Sequence, residues 1–272
     1  MGPDRALNRL LLPLQVQVRT PLAVRAVGDD PLGAEHPIAQ TLVGGVPVPY
    51  VPGSSLRGVL RAWAQRRLAC LGAVALGDPS PLDLLPPAER HRRAPLEARL
   101  FGAPGLRGRI HVPDLLAWPA GEPPAEPCVP DRVQRVTPEG RIFEALAPGV
   151  VLYGAVVLTN FQTWQLGLVA HGLAALNRGA ARLGAGGNHG LGQVHITHPG
   201  LVYEQPANTA ELPLCLAELA DADTAAAQGL LPRGDLPAKF GDVRGLSRRF
   251  EVPPEQVPEW LAAGLRALEA LA

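Results

Sequence analysis

The sequence contains a single lysine, Lys239, one methionine, three cysteines and an aromatic fraction of only 4%. Cys70, Cys128 and Cys215 lie far apart and form no CxxC pair. That pattern excludes a zinc knuckle and a disulfide framework, and it fits a reducing cytoplasm. No apolar run approaches the roughly 20 residues of a membrane-crossing helix. Leu10–Leu14 is too short for a signal-peptide core and leads straight into Gln15, Gln17 and Arg19, so neither a leader nor a span is expected. Twenty-five acidic residues balance twenty-five basic ones, so net charge alone points to no polyanionic partner. What the chain does have is a hydrophobic fraction of 47%, a charged fraction of 18%, thirty glycines and thirty prolines. This is the composition of a packed globular protein with many turns and long loops.

Hydrophobic periodicity supplies a coarse element order. Leu14, Val16 and Val18 alternate with Gln15, Gln17 and Arg19, and Leu10–Leu22 reads as a half-buried strand. Residues 23–53 read as a long loop, and loops of that length in a compact domain are commonly functional. Ser54 or Ser55 is expected to cap a helix running to about Leu71, with Leu56, Val59, Leu60 and Trp63 as its apolar stripe. Residues 72–98 read as an insertion rich in proline and charge. Arg109–Leu116 reads as a strand, and 117–131 as a second irregular stretch. Asp131–Leu146 looks like a hairpin turning at Pro138-Glu139-Gly140. Val150–Leu158 reads as a buried strand, Gln165–Leu183 as a helix and Gln193–Thr197 as a final strand reached through the glycine-rich turn Gly184–Gly192. The tail ends in a helix carrying Trp260, Leu261, Leu265 and Leu268. Two strand-helix-strand halves predict an α+β, ferredoxin-like (RRM-like) sandwich.

Charge distribution says more than net charge. Between Gly53 and Arg109 there are ten arginines (57, 61, 66, 67, 90, 92, 93, 99, 107 and 109) against four acids, Asp78, Asp83, Glu89 and Glu97. Arginine suits phosphate because its planar fork bonds bidentately and stays charged. Inside this stretch, PYVPGSSLRGVLR (49–61) is a loop entering a helix whose free N–H groups form a ready anion site, with Arg57 and Arg61 on one face.

PYVPGSSLRGVLR resembles the signature of the RAMP superfamily of CRISPR-associated proteins. RLFGAPGLRGRIHVPD (99–114), DRVQRVTPEGRIFEALAPG (131–149) and GGNHGLGQV (186–194) resemble that family's next segments, in the family's order. Together they are similar to the repeated backbone subunit of type III effector complexes. The resemblance implies one domain over residues 1–272: a core of about 10–200, insertions of about 72–98 and 117–148, a thumb hairpin, and an extension over 200–272. It also implies guide RNA, complementary target RNA and other CRISPR effector subunits as partners, with copies stacked along the guide and sequence read by base pairing. The guide would contact Ser54, Ser55, Arg57 and Arg61, the glycine loop through Gly186, Gly187, Asn188 and Gly190, and the thumb through Arg132 and Arg135.

The glycine loop has neither the Gly-Lys-Ser/Thr ending of a P-loop nor the strand-then-helix setting of a dinucleotide fingerprint. Glycine there suits close backbone approach to a ligand. His195 and His198 are three apart in a strand and face opposite ways, which argues against a histidine metal site. In type III backbone subunits an aspartate in the loop after the first strand is associated with metal-dependent cutting of target RNA. The best match here is Glu35, as catalytic and metal-holding residue for Mg2+, with Asp30 and Asp29 beside it; glutamate for aspartate moves the carboxylate by one bond. Two other readings fit the same resemblance: a nuclease that processes the guide precursor with His36 as acid or base, and a purely structural adaptor of the complex.

Overall fold

The structure, a computed structural model, describes residues 7–24, 37–73, 82–118, 133–137, 143–231 and 236–271. Its central strand is β1 (Arg9–Val18), which alternates buried Leu10, Leu12, Leu14, Val16 and Val18 with half-buried or exposed residues on the other face. A hairpin follows, β2 (Gln40–Val43) and β3 (Val46–Val51), closed by Gly44 and Gly45 at positive φ. The reading of 23–53 as one loop is corrected here. Prolines at 47 and 49 hid a strand that lies near the sheet margin, where a missing N–H is tolerated.

Helix α1 (Gly53–Cys70) buries Leu56, Leu60, Ala64 and Leu68, one residue per turn. The 72–98 stretch contains α2 (Pro87–Arg93) and leads into α3 (Leu96–Phe101). The expected strand over 109–116 is split into β4 (Ile110–His111) and β5 (Leu115–Leu116) around Pro113. The hairpin read over 131–146 is present as β6 (Val133–Val136) and β7 (Phe143–Leu146), paired antiparallel; its turn, 138–140, lies outside the described residues. β8 (Val151–Thr159), α4 (Thr163–Asn177) and β9 (Val194–Thr197) complete the second half.

β1 pairs β8 from Arg9↔Thr159 to Gln17↔Val151, β8 pairs β4 and β5, and β9 lies along the other edge of β1. This is the antiparallel four-strand order of a ferredoxin-like α+β core, with α1 and α4 packed together. β10 (Leu201–Pro206) continues the β9 edge, pairing Leu11↔Val202 where β9 paired Gln15↔Thr197. The register slips by one residue between them, so His198–Gly200 form a bulge, and His198 Nδ1 approaches the Pro13 carbonyl at 3.4 Å.

Residues after 200 are woven into the same body. After α5 (Leu216–Leu219) and α6 (Ala222–Gln228), β11 (Asp242–Arg244) and β12 (Ser247–Val252) extend the sheet beyond β10, making ten strands. α7 (Val257–Glu269) packs on α4. Tyr203 sits among the rings of Phe161, Phe250 and Trp260 with centroids 5.6–6.2 Å apart, and its hydroxyl donates to the Leu214 carbonyl at 2.5 Å. α4 is apolar nearly all round because it is covered on several sides.

The α4–α7 crossing depends on two glycines. A Cβ on Gly167 would stand 2.2 Å from the Gly264 carbonyl oxygen, and one on Gly264 2.7 Å from the Gly167 nitrogen. Gly167→Val should therefore force the helices apart and lower stability by about 2 kcal/mol or more in urea unfolding. Gly58→Ala, where an added Cβ meets nothing within 4 Å, should leave the midpoint unchanged or raise it slightly.

Candidate nucleic-acid interface

The signature segment first serves the fold. Gly53 opens α1 against the break between β4 and β5: a Cβ there would lie 1.9 Å from the Val112 carbonyl oxygen and 2.7 Å from that of Pro113. The same break turns Asp114 so that its Oδ1 accepts the Gly53 N–H at 2.8 Å. The helix is thus capped from a distant segment. Pro52 occupies the cap position, and Ser54 and Ser55 lie inside the first turn without a side-chain cap bond, which corrects the expectation that one of them caps the helix. Ser54 is exposed and Ser55 half-buried.

Most arginines of the 53–109 run hold the protein together. Arg57 Nη2 donates to the Phe101 carbonyl. Arg90 binds the Asp83, Leu85 and Gly105 carbonyls, and Arg99 those of Arg92, Ala94 and Gly229. Arg109 donates to Gln228 Oε1, Arg93 pairs with Glu89 and Arg67 with Glu269. Arg66 lies 5.2 Å over the Trp63 ring. Part of the local excess of positive charge read from the sequence is therefore spent inside the fold, three of the ten arginines (57, 90 and 99) tying backbone carbonyls. Arg61 makes no such bond among the described residues and is half-buried at the start of the third turn of α1.

The glycine loop lies at the other end of a continuous tract of backbone bonds. Gly192 N donates to the Pro21 oxygen at 2.9 Å and Ala185 N to the Ala23 oxygen at 2.8 Å. Leu22 and Leu146 exchange bonds of 3.0 and 2.8 Å, which docks the β6–β7 hairpin on the opposite edge of the 21–24 segment. Ala39 N then donates to the Val24 oxygen and Tyr50 N to the Ala39 oxygen, both at 3.1 Å. Ala23, Ala145 and Leu191 form a small apolar cluster under this junction. The expected strand over 10–22 is thus two pieces, β1 and a short connector that bridges loop and hairpin.

Gly184, Gly186, Gly190 and Gly192 all adopt φ between 75° and 79°. At Gly184 and Gly192 a Cβ would also meet backbone, 2.3 Å from the Ala23 oxygen and 2.0 Å from the Leu183 oxygen, so these two build the loop. Asn188, His189 and Gly190 form its exposed tip, and Gly190 faces open space. Arg135 is exposed on the hairpin. Three basic residues that the sequence reading passed over lie at the loop's roots: Arg19, exposed at the end of β1, and Arg178 and Arg182, between α4 and the loop. The i, i+4 spacing of the last two was the available signal. Arg182 Nη1 is enclosed and has no hydrogen-bond partner among the described residues.

Asp29, Asp30, Glu35, His36 and Arg132 lie outside the described residues. The two ends of the segment that carries the acids are joined by the Ala39–Val24 bond, and Ile38 N donates to Glu144 Oε2 of the hairpin at 3.2 Å. The described residues that flank that segment, Val24 and Ile38–Ala39, therefore lie beside the hairpin and the glycine loop. Among the described residues no group of three or more His, Cys, Asp or Glu could hold a metal ion.

The sequence profile of the RAMP superfamily matches residues 15–195. The chain belongs to the RAMP superfamily. Among solved structures, a chain of an assembly described as a Type IV-B CRISPR Complex is similar at 23% identity, with a TM-score of 0.45, over 76% of this RAMP and 93% of that chain. No curated protein matches. No helix among the described residues is long and apolar enough to cross a membrane.

The arginine network also gives this RAMP an acid-sensitive joint. His91 is buried between α2 and α6, its Nδ1 bonded to the Gln228 carbonyl at 3.0 Å, with Arg109 and Arg99 nearby. Burial first, then Arg109 and Arg99, push its pKa down to about 3. The imidazole is thus neutral in the fold but protonates near pH 6.5 when unfolded. Stability from this group is complete above about pH 6.5 and falls with pH toward 3, with a limiting slope of about 1.4 kcal/mol per pH unit. Unfolding midpoints measured from pH 7 to 4 should fall less steeply in His91→Gln than in the parent.

Proposed function

We propose that this chain is a guide-RNA-binding backbone subunit of a type III-like CRISPR effector complex. The observation that carries the proposal is the junction of residues 19–24, which gathers the glycine loop, the hairpin and the ends of the acid-bearing segment at one end of the sheet. Membership of the RAMP superfamily supports the CRISPR setting. Guide phosphates would run past the exposed tip Asn188–Gly190 and the first turn of α1. Arg19, Arg61, Arg178 and Arg182 would supply charge and the loop glycines close approach. The hairpin, through Arg135 and Arg132, would stand against the guide–target duplex. Base pairing would carry the sequence specificity, and identical copies would stack along the guide with other effector subunits as neighbours.

Phosphate contacts make binding tolerant of sequence and sensitive to salt. Each contact removed from a single strand should flatten the slope of log K against log salt by about 0.7. Arg61→Ala and Arg178→Ala should each do this for unrelated guides alike in filter binding. Arg57→Ala should chiefly lower the melting temperature, because its guanidinium is engaged with Phe101. Gly190→Val should weaken binding and His189→Ala should be mild. An unchanged affinity and slope in an Arg61→Ala, Arg178→Ala double variant would overturn this placement of the RNA.

Target cutting, if this subunit performs it, would rest on Glu35, with Asp30 and Asp29 as the neighbouring carboxylates. Mg2+ held there would assist attack of the 2′-hydroxyl on the adjacent phosphate. Glu144 is already engaged with the Ile38 N–H. With labelled complementary RNA and the assembled complex, Glu35→Ala should abolish magnesium-dependent cutting opposite the hairpin, and EDTA should do the same to the parent. Cutting that survives replacement of all three carboxylates places the catalytic group elsewhere, whereas a parent that never cuts is a binding scaffold.

A further inference from the structure

β11 is the outermost strand at one margin of the sheet, and residues 242–246 are exposed throughout. Among the described residues no backbone group bonds to its outer edge. The hairpin turns through Gly245–Leu246 with Gly245 at φ 63°, so Arg244 and Ser247 are the pair that exchanges both backbone bonds. Bonded and non-bonded pairs alternate along an antiparallel ladder. Val243, opposite Arg248, therefore turns its N–H and carbonyl away from β12. The edge is held at both ends: the Leu246 carbonyl accepts from Ala207 N at 2.9 Å, and the Gly241 carbonyl accepts from Arg248 Nη1 at 3.1 Å. The segment 240–246 is also symmetric about Val243. Glycines stand at 241 and 245, large apolar residues at 240 and 246, and opposite charges at 242 and 244. Phe240, Val243 and Leu246 are 80%, 56% and 92% exposed, an apolar set that the fold leaves uncovered. Asp242 makes no ion pair among the described residues, because Arg249 opposite it is engaged by Glu204 at 3.7 Å and Glu251 at 3.0 Å. Arg244 reaches the same Glu251 at 3.2 Å in an exposed pair that contributes little.

We infer that β11 is a docking edge for a second copy of this chain, paired antiparallel across a two-fold axis at Val243. In that register the outward N–H and carbonyl of Val243 bond to those of Val243 in the second copy. Asp242 of each copy then faces Arg244 of the other in a non-bonded pair, where side chains come closest, which gives two ion pairs. Phe240 of each copy meets the turn that carries Leu246 of the other. The registers on either side centre on Asp242 or on Arg244. They set like charges opposite one another and call on backbone groups already turned toward β12. This self-complementary charge order is what selects a second copy over an unrelated extended segment. The edge lies beyond the stretch that matches the family, 15–195, so it belongs to the C-terminal part of this chain. A two-fold contact closes on itself and builds no filament, so it is distinct from stacking along a guide and independent of the RNA reading.

The test is sedimentation velocity of the full chain, free of RNA, over a concentration series. The interface is small, so dimers should be half-populated by about 100 μM and recede as salt is added. Val243→Pro removes the outward N–H without touching the bonds to β12, and should abolish the dimer. Asp242→Arg and Arg244→Asp each set like charges opposite one another at two symmetric places, and each should weaken dimerisation by about tenfold or more. Combining the two reversals in one chain should restore the dimer, and so should mixing the two single variants. Both reversals sit at exposed positions, so they keep the inference testable if the proline variant folds poorly. The inference is overturned if the parent is monomeric at the concentration given, if a folded Val243→Pro chain dimerises like the parent, or if the combined reversal fails to recover what each single reversal loses.

Discussion

Strand β1 is hydrogen-bonded along both edges, to β8 over nearly its full length and to β9 and β10 in turn on the other side. Everything else hangs from that double pairing. Its alternating residues put five aliphatic side chains under α1 and α4 and leave the rest on the outer face. A one-residue slip would move the whole buried set to the wrong side, so the register is strongly constrained. The single tolerated slip is the His198–Gly200 bulge, which lets one edge continue past the core into β10. Because β10 is itself paired to β12, the residues after 200 extend the sheet and cannot be regarded as an appended tail.

The same strand delivers the candidate interface. Where β1 ends, the 19–24 connector has a donor and acceptor facing each way, and it uses them to hold the hairpin on one edge and the glycine loop on the other. Loops that carry function need a rigid support, and here the support is a few backbone bonds at the end of the most deeply buried strand. Glycines at 184 and 192 are required by close backbone approach within the loop. The open space around Gly190 leaves the tip available to a ligand.

Arginine plays two roles that are indistinguishable in the sequence. Arg90, Arg99 and Arg109 are five-donor forks that satisfy loop and helix-end carbonyls of the 82–109 region and of α6, where few backbone partners are available. Arg19 and Arg178 are left exposed, and Arg61 half-buried. A guanidinium that binds three carbonyls and one that stands free at the surface are written with the same letter, so counting charge in a window overstated the basic surface.

The residues by themselves determined the element types and the core. Period-two alternation in 10–18, the one-per-turn stripe of α1 and the apolar stretch of α4 encode burial directly, and the four ordered motifs pointed to the RAMP superfamily. Local pattern could not reveal β3, whose prolines mimic a loop, or the split of the 110–116 strand at Pro113. It could not reveal that Asp114, not a serine, caps α1, since that bond joins groups 61 positions apart. Nor could it show that residues after 200 complete the sheet. Those features arise from contacts between segments remote in the chain, and their energetics depend on which groups are brought together, a quantity that only the tertiary structure defines.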